Sequence, residues 1–540
     1  MQVTTVPFCS TGTFSKLICD YLEANPALEG FYNRLPKLEN FKAQIEEKQA
    51  LYSNKTRQLL VKTIQAQYGS LTDTSVKNAL ETLKQANSFT ITTGHQLNLA
   101  TGPLYFLYKI ASVCNLCQRL KTHYPEYNFV PVFWMASEDH DFQEINHFRY
   151  RKGGNANASI QKFEWPQPDA GPVGLRVVDD TAHWLTEFLN TLGASTQSKT
   201  LKDLLAKAYA KGNTLAEATR ILAKNLFKGE GLIILDGNTS ALKRCFVPYM
   251  QEEITTAFTY NTVNKSSEIL KQRGYHAQVT AREINLFYIT DTLRKRIVNT
   301  ENNIYEVKDT AIKFTKAELL RAIAETPHLF SPNALLRPLF QEVVLPNLAY
   351  IGGGGELAYW LQLQSCFKQA KTPFPILVLR NSVLLIHKAE AKQIESLGVD
   401  PVDLFLSKHE FVNKYIRAKS EIPIDFSSQK AFLKTQFKDL YTLAKKTDAS
   451  FIGAVAAQEI KQCNGLDALE KRLLKAQKRK LASYTERLTS LHSALFPEGK
   501  LQERYLNFSG FYEYTPNLIT LLINTLDPLH KAFVIFEDKP

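Results

Sequence analysis

A strand, a polar glycine-containing loop, a helix and a second strand follow one another between residues 88 and 147, and this order constrains the fold more than any other stretch. Residues 89–93 alternate and are rich in β-branched side chains, which predicts a strand. A Gly-Pro pair then predicts a helix start, and apolar side chains recur at helical spacing over residues 104–120. Residues 129–135 are nearly all apolar, as in a strand covered on both faces. The chain is therefore predicted to contain an α/β domain with a parallel sheet.

Polar residues stand at the carboxyl ends of both predicted strands. In an open parallel sheet, neighbouring strand ends share a crevice in which ligands bind. We therefore expect a single ligand to contact the residues that follow the two strands. The candidates after the first strand are Gly94, His95, Gln96, Asn98 and Gly102, and those after the second are Glu138, Asp139, His140 and Asp141.

A second stretch of the same kind lies between residues 331 and 363. A strand predicted over residues 348–351 ends in four glycines: Gly352, Gly353, Gly354 and Gly355. Glu356 then begins a predicted helix, and this order of strand, glycine loop and helix presents backbone N–H groups to an anion. It is not a P-loop, because no Gly-Lys-Ser/Thr follows, and Glu356 would repel a phosphate but could bind a ligand amine. Glycines that merely allow close backbone packing are an equally good interpretation.

Three charged side chains stand in or beside apolar segments. Arg380 is the only charge in a strand predicted over residues 373–386, so it is either half of a structural ion pair or an anion ligand. Lys109, two turns into the first helix, is predicted to be structural and not to reach the site. Asp236 ends a buried strand predicted over residues 231–237, and it either contacts a ligand or caps the next helix.

Thiol and zinc chemistry have little support in the sequence. The seven cysteines are odd in number and scattered, which is typical of reduced intracellular thiols. Cys114 and Cys117 have the spacing of a redox or zinc pair, but they fall in a predicted helix and are interpreted as buried small side chains. Glu144 and His147 could complete a metal set with the acidic loop, but no cysteine stands nearby, so no zinc site is expected.

Length and charge narrow the class of protein. A chain of 540 residues predicts two or three domains. Basic residues number 65 and acidic residues 53, and the net charge of +12 favours an acidic substrate or nucleic acid. The densest basic run, residues 471–480, is interpreted as the solvated face of a helix, so nucleic acid is not the expected partner. The sequence shows no basic-apolar leader and no long apolar run, so we expect a cytoplasmic protein without a membrane partner.

Helices are predicted over residues 14–87 and 181–227, an antiparallel hairpin or a small β-insertion over 275–299 and a last strand over 530–538 that returns to the main body. From about residue 387, leucines spaced by seven and an upstream partner pattern predict two long antiparallel helices, an arm that pairs with a second chain. The stripe comprises Leu474, Leu481, Leu488 and Leu495, and the partner positions are Leu433, Phe437, Leu440, Ala444 and Phe451. The expected domains are a core over residues 1–386, the arm over 387–505 and a C-terminal segment over 506–540 that packs on the core.

Four motifs, in this order, resemble the BshC family, the cysteine ligases of bacillithiol biosynthesis. They are TGHQLNLATGPLYFLYK, VPVFWMASEDHDFQEINH, SPNALLRPLFQEVVLPNLAYIGGGGELAYW and PILVLR, and the similarity extends over essentially the whole chain. The resemblance implies a Rossmann-like core related to class I aminoacyl-tRNA synthetases, with inserted connecting segments, and a coiled-coil arm that makes a homodimer. The family loops favour TGQQ and GGPGE where this chain has TGHQ and GGGGE, so His95 is interpreted as a local variant.

The implied reaction adds L-cysteine to the amine of glucosaminyl malate, the last step of bacillithiol biosynthesis. Forming an amide from a carboxylate and an amine is uphill in water, so ATP, accompanied by Mg²⁺, is the expected activator of the cysteine carboxylate. On this model the His95 loop and the helix start at Gly102 contact the nucleotide. Asp139, His140 and Asp141 bind the substrate amine or accept its proton.

Two other functions stay open. A synthetase-like core with a basic arm could bind RNA with strong salt dependence, although no basic patch with interleaved aromatic residues supports this function. A catalytically inactive core with a coiled coil could instead serve as a scaffold for other enzymes.

Overall fold

The structure is a computed structural model, and it describes residues 2–69, 73–152, 158–167, 171–300, 304–515 and 517–538. The strands of the described residues are β1 (Gln2–Pro7), β2 (Ser88–His95), β3 (Asn128–Met135), β4 (His147–Arg151), β5 (Ile160–Glu164), β6 (Ile233–Asp236), β7 (Leu286–Ile289), β8 (Arg294–Asn299), β9 (Ile304–Val307), β10 (Lys313–Thr315), β11 (Phe330–Pro332), β12 (Asn347–Gly352), β13 (Ile376–Leu379), β14 (Val383–Ile386) and β15 (Ala532–Glu537). The α-helices are α1 (Lys16–Leu22), α2 (Asn40–Leu51), α3 (Asn54–Tyr68), α4 (Thr74–Leu83), α5 (Tyr105–His123), α6 (Phe142–Ile145), α7 (His183–Thr191), α8 (Thr196–Ala208), α9 (Leu215–Leu226), α10 (Ser240–Thr256), α11 (Phe258–Gln272), α12 (Lys316–Glu325), α13 (Arg337–Val344), α14 (Gly354–Leu361), α15 (Gln364–Gln369), α16 (Lys388–Leu397), α17 (Lys408–Lys419), α18 (Ser427–Ala444), α19 (Ala449–Lys480), α20 (Ala482–Leu495), α21 (Gln502–Tyr505), α22 (Ser509–Tyr512) and α23 (Leu518–Thr525).

The chain divides into two compact units. The larger comprises Gln2–Leu385 and Gln502–Phe536, and the smaller comprises Ile386–Leu501 with the chain end from residue 537. Among the described residues, no helix combines the length and the apolar character that a membrane crossing needs.

A five-stranded parallel sheet organises the larger unit, in the order β13-β12-β2-β3-β6. The chain passes from β2 to β3 and β6 on one side, then returns to add β12 and β13 on the other. This is the order of a Rossmann fold, and it places a topological switch point between β2 and β12. The prediction of an α/β, Rossmann-like fold is confirmed. The strands predicted over residues 89–93, 129–135 and 231–237 correspond to β2, β3 and β6.

The faces of this sheet are covered by helices, which explains why its strands are apolar on both sides. Burying each large aliphatic or aromatic side chain contributes about 1.5–3 kcal/mol. The cluster on one face joins two helices to three strands through Phe41, Ile45, Phe89, Ile91, Val113, Leu116, Leu348, Ile351, Ile376 and Val378. Cys114 and Cys117 are free thiols buried in α5, so their interpretation as small core side chains is confirmed.

An antiparallel sheet, β10-β9-β8-β7-β11, is inserted between β6 and β12. The hairpin predicted over residues 275–299 corresponds to β7 and β8, whereas residues 275–285 form no strand. A third sheet, β1-β15-β14, contains the last strand, which returns to the larger unit as predicted.

The prediction of one strand over residues 373–386 is wrong. The segment forms β13 in the parallel sheet and β14 in the sheet with β15, separated at Arg380. The backbone N–H of Arg380 donates to Gly352 O (2.9 Å), whereas the N–H of Val383 donates to the Glu503 carboxylate (3.1 Å). The apolar run is continuous because both strands are buried, and burial alone does not reveal a change of sheet.

The smaller unit contains the helical hairpin that the sequence predicts. Helices α18 and α19 pack through Phe437, Ala444 and Val455, whereas Leu440 and Phe451 are 43% and 44% exposed and lie outside this core. The leucine stripe from residue 474 to 495 is not one seam, because the helix breaks at residue 481, between α19 and α20. At the break, the Thr485 hydroxyl donates to the carbonyls of residues 478 and 481. These side-chain hydrogen bonds compete with the backbone hydrogen bonds of a continuous helix.

Candidate functional site

A cavity of about 950 Å³ lies at the carboxyl ends of β2 and β12, the switch point of the parallel sheet. One wall consists of the end of β2 and the glycine turn after β12. Side chains of β7 and β8 and the segment before α13 form the facing wall. Of the predicted site residues, the cavity wall includes Gly94, His95, Gln96, Glu138, Asp139, Gly353, Gly354, Gly355, Glu356 and Arg380.

An ion pair between Lys109 and Glu356 lies in the wall, with Nζ and Oε2 2.6 Å apart. Lys109 also donates to the carbonyl of Gly94 at the end of β2 (2.8 Å). The Glu356 carboxylate accepts hydrogen bonds from the N–H of Gly353 (2.8 Å) and from the hydroxyl of Tyr350 (3.0 Å). The prediction that Lys109 does not reach the site is therefore wrong, because the helix runs back beside the strand end.

The Glu356 carboxylate stays ionised. Burial acts to raise the pKa of Glu356, but the Lys109 cation and the Gly353 N–H lower it to about 2. The Lys109 ammonium group therefore binds Glu356 where the sequence analysis predicted a ligand amine.

The four glycines of the turn have two roles. A Cβ at Gly352 would lie 3.0 Å from the Tyr350 ring, and one at Gly354 would lie 3.3 Å from Phe14, so both positions allow close packing. Gly353, Gly354 and Gly355 line the cavity, whereas Gly352 does not. The first N–H groups of α14 have no acceptor within the helix, which makes them available to an anion.

Arg380 makes the structural ion pair that was one of its two predicted roles. Its guanidinium binds Glu503 in a bidentate manner, with N–O distances of 2.7 and 3.1 Å, and both side chains are buried. The Nε–H of Arg380, which is buried beside Gly353, has no partner among the described residues. One donor of Arg380 is thus left for a ligand.

His95 ends β2 in the cavity wall, half-buried against the ring of Tyr105 at a centroid distance of 5.1 Å. Burial, reinforced by the Lys109 and Arg380 cations, lowers the pKa of His95 to about 3, so the ring is neutral at pH 7. Its Nε2 atom is buried and, among the described residues, has no hydrogen-bond partner. A neutral imidazole here can exchange hydrogen bonds with a ligand but is a poor proton acceptor.

Asp139 is fixed by side chains from three segments. Gln96 donates to its Oδ2 (2.9 Å), and the Arg294 guanidinium lies 3.8 Å from its Oδ1. Burial acts to raise the pKa of Asp139, but hydrogen bonds from His140 and Gln96 and the Arg294 cation hold it well below its usual range. His140 lies outside the wall, with Arg294 donating to its Nδ1 (3.1 Å).

Glu138, the other carboxylate of this loop, is paired with the buried Lys243 (2.6 Å). The pair ties the end of β3 to α10, so Glu138 lines the cavity with its charge already balanced.

Asn98, Gly102 and Asp141 also lie outside the cavity wall. Asp141 caps α6 by accepting from the N–H of Glu144 (3.3 Å). Gly102 has φ +67° and so little room that a Cβ would lie 2.6 Å from Asn98 Cβ. Asp236 accepts from Ser137 and from the N–H of Asn238 (2.9 Å), whereas Thr239 caps α10.

The cavity wall has a large excess of positive charge that the sequence analysis missed. Its three carboxylates, Glu138, Asp139 and Glu356, each have a cationic partner. The cations of the wall are Lys109, Arg282, Arg294, Arg296, Arg337, Arg380 and Arg504. In the described parts of the chain, no carboxylate lies within ion-pair distance of Arg282, Arg296, Arg337 or Arg504. The signal in the sequence was the alternation of Arg294 and Arg296, which places both on one face of β8.

The site offers donors for anions and few ligands for a metal. No group of three His, Cys, Asp or Glu side chains in the described ranges could hold a metal ion. Chemically, the arrangement suits carboxylate and phosphate groups, which backbone N–H groups and arginines bind well.

Comparison with known proteins identifies the family. The N-terminal Rossmann-like domain of the bacillithiol biosynthesis protein BshC matches residues 1–381, and its C-terminal coiled-coil domain matches residues 383–537. Proteins named "Putative cysteine ligase BshC" from Flavobacterium johnsoniae and Flavobacterium psychrophilum are 48% and 46% identical to this chain, over 99% of it and over 99% and 100% of their own lengths. A protein of the same name from Bacillus mycoides is 28% identical over 91% of this chain and 92% of its own. The resemblance seen in the four motifs is thus confirmed, and the chain belongs to the BshC family of bacillithiol biosynthesis.

Proposed function

We propose that this protein is an ATP-dependent cysteine ligase that adds L-cysteine to the amine of glucosaminyl malate. The observation that carries the proposal is the cationic cavity at the switch point, seven cations against three carboxylates in about 950 Å³. Each proposed substrate carries anionic groups: malate contributes two carboxylates, cysteine one, and ATP its phosphates. The names of the relatives support the ligase activity.

The reaction forms a C–N bond between the cysteine carbonyl carbon and the sugar amine, breaks the C–O bond of the activated carboxyl group and releases an amine proton. ATP would supply the activation that makes this amide bond favourable. The residues present fit a nucleotide, because the first turn of α14 presents N–H groups without an acceptor in the helix, and Arg380 Nε, which has no partner among the described residues, lies beside it with neutral His95. Asp139, whose pKa is held low, would bind an ammonium group better than it would accept a proton.

The test is a mass-spectrometric assay of the purified protein with glucosaminyl malate, cysteine and ATP/Mg²⁺, each omitted in turn. Bacillithiol that forms only in the complete mixture, with AMP or ADP released, supports the proposal. No product from the folded protein in any mixture would contradict it and favour the scaffold function. Salt-sensitive RNA binding, with a slope set by the phosphates contacted, would favour the RNA-binding alternative.

We also propose that the arm forms a homodimer. Four apolar side chains on α18 and α19 are each more than half exposed: Phe432, Leu443, Ile460 and Leu469. An exposed apolar patch is typical of an interface, and Phe432 and Leu443, eleven residues apart, lie on the same face of α18. Sedimentation of the Phe432→Glu/Ile460→Glu variant should give a monomer where the wild type gives a dimer, and a monomeric wild type would contradict the proposal.

A further inference from the structure

The Lys109–Glu356 ion pair connects the two strand ends that flank the switch point. Lys109 binds the carbonyl of Gly94 after β2, and Glu356 binds the N–H of Gly353 after β12. The 2.6 Å contact between their charged groups closes this chain of bonds. A hydrogen bond from Tyr350 to the second carboxylate oxygen fixes the orientation of Glu356 (3.0 Å).

Two buried nitrogen atoms next to this pair have no partner among the described residues. Arg380 is 3% exposed, yet its Nε–H is unpaired and lies 3.7 Å from the position that a Cβ of Gly353 would take. His95 Nε2 is also buried without a partner among the described residues. Buried polar atoms normally have hydrogen-bond partners, so these two nitrogens point to a ligand.

We infer that Lys109 and Glu356 are positioning residues: their ion pair holds the glycine turn so that its N–H groups and Arg380 Nε converge on one oxyanion group of a ligand. This inference rests on the proposed function for the identity of the ligand, since a phosphate of ATP and a carboxylate of malate present the same chemistry. Neither residue needs to take part in the reaction, because Glu356 acts through the turn and Lys109 acts through Glu356.

Positioning and simple electrostatics predict opposite effects on anion binding. Glu356→Gln removes a negative charge from the wall, so electrostatics alone would tighten the binding of an anion. If the pair positions the turn, the same variant weakens binding in spite of its extra positive charge. The Lys109→Met/Glu356→Gln variant leaves the charge of the wall unchanged, so electrostatics predicts normal binding and positioning predicts weak binding.

Calorimetric titration with ATP/Mg²⁺ and, separately, with L-malate tests the inference without requiring turnover. We expect Glu356→Gln and the double variant each to lower the affinity for at least one of the two ligands about tenfold or more. Loss of ATP binding alone would assign the subsite to a phosphate, and loss of malate binding alone would assign it to a carboxylate. Tyr350→Phe, which removes one hydrogen bond from Glu356, should weaken ligand binding to a smaller extent. This mild variant tests the inference even if the other two fail to fold.

Lys48→Met is the control for loss of a buried lysine away from the cavity, because Lys48 and Glu342, 2% and 0% exposed, form a lysine–glutamate pair in the same unit, near the start of β12. This variant should bind both ligands normally. Normal binding by the double variant, or a wild type that binds neither ligand, would overturn the inference. A wild type that binds one of them but makes no bacillithiol would overturn the proposed function and leave this inference standing.

Discussion

A lysine–glutamate pair with a buried lysine lies near each end of β12, and the two pairs differ in what surrounds them. At the amino end, Glu342 accepts from Asn347, the first residue of the strand (2.6 Å), and its Oε2 lies 3.6 Å from Lys48 Nζ. At the carboxyl end, Lys109 and Glu356 are 2.6 Å apart in the wall of a cavity, beside buried nitrogen atoms that have no partner in the described part of the chain. Similar chemistry thus holds the start of a strand at one end and borders the proposed anion site at the other.

The charge states of the two glutamates differ as well. Burial raises the pKa of Glu342, with the Lys48 cation opposing it, whereas the closer cation and the Gly353 N–H lower the pKa of Glu356 to about 2. The comparison teaches that a buried ion pair indicates function only when open space and unpaired donors lie beside it.

The largest expected effect is at the amino end. Lys48→Met leaves Glu342 buried without its cation and should lower the free energy of unfolding by about 3–5 kcal/mol. The folded pKa of Glu342 lies above its unfolded value, so its protonation stabilises the folded state at low pH, and this contribution is lost as the pH rises through the folded pKa. The deficit of the variant should therefore be larger at pH 8 than at pH 5 in urea unfolding, and an equal deficit at both values would argue against a buried charge.

The next effect is at the carboxyl end. His95→Ala removes a group that faces the proposed ligand and should lower kcat of bacillithiol formation about 100-fold. His95→Gln should keep most of the activity, because the amide still supplies a donor and the family loop favours glutamine at this position. Full activity of His95→Ala, measured by mass spectrometry, would show that the end of β2 does not belong to the site.

The pH dependence of stability distinguishes the two ends further. The pKa of His95 is lowered from 6.5 to about 3 on folding, so below pH 6.5 the unfolded chain binds the proton more readily and stability falls as the pH drops. His95→Gln removes this contribution to the pH dependence of stability. Its Tm should therefore exceed that of the wild type by a margin that grows from pH 7 to pH 4, whereas a constant margin would mean that His95 titrates normally.

The smallest effect concerns the side chains around Asn347. The Thr92 hydroxyl donates to the Asn347 side chain (2.8 Å), which also accepts from Thr90 (3.2 Å). Thr92→Val should cost about 1 kcal/mol of stability and leave kcat unchanged. A change in kcat without a change in stability would show that the amino end of the sheet influences the site.

Much of the core could be predicted from the sequence, because periodicity and glycine positions are local signals. The strands around His95 and the glycine turn were found in this way, as was the helix that begins at Gly354. Lys109 was misjudged because sequence gives its distance along α5 but not the direction in which the helix packs. It is, however, the only charged residue between Leu104 and Gln118, the same signal that singled out Arg380.

The facing wall of the cavity could not be predicted, because it depends on how an inserted sheet packs against the Rossmann core. Arg294 and Arg296 are about 200 residues from His95 in the chain, so only tertiary structure brings them together. The break at residue 481 was missed for a different reason: the heptad spacing continues through it, although the helix does not.

A crystal structure of the protein with glucosaminyl malate and a non-hydrolysable ATP analogue tests the central claim most directly. Our account predicts that an anionic group of one ligand lies against the glycine turn and Arg380 Nε, with the remaining anionic groups among the arginines of the facing wall. Both ligands bound elsewhere, with the cavity at the switch point empty, would contradict it.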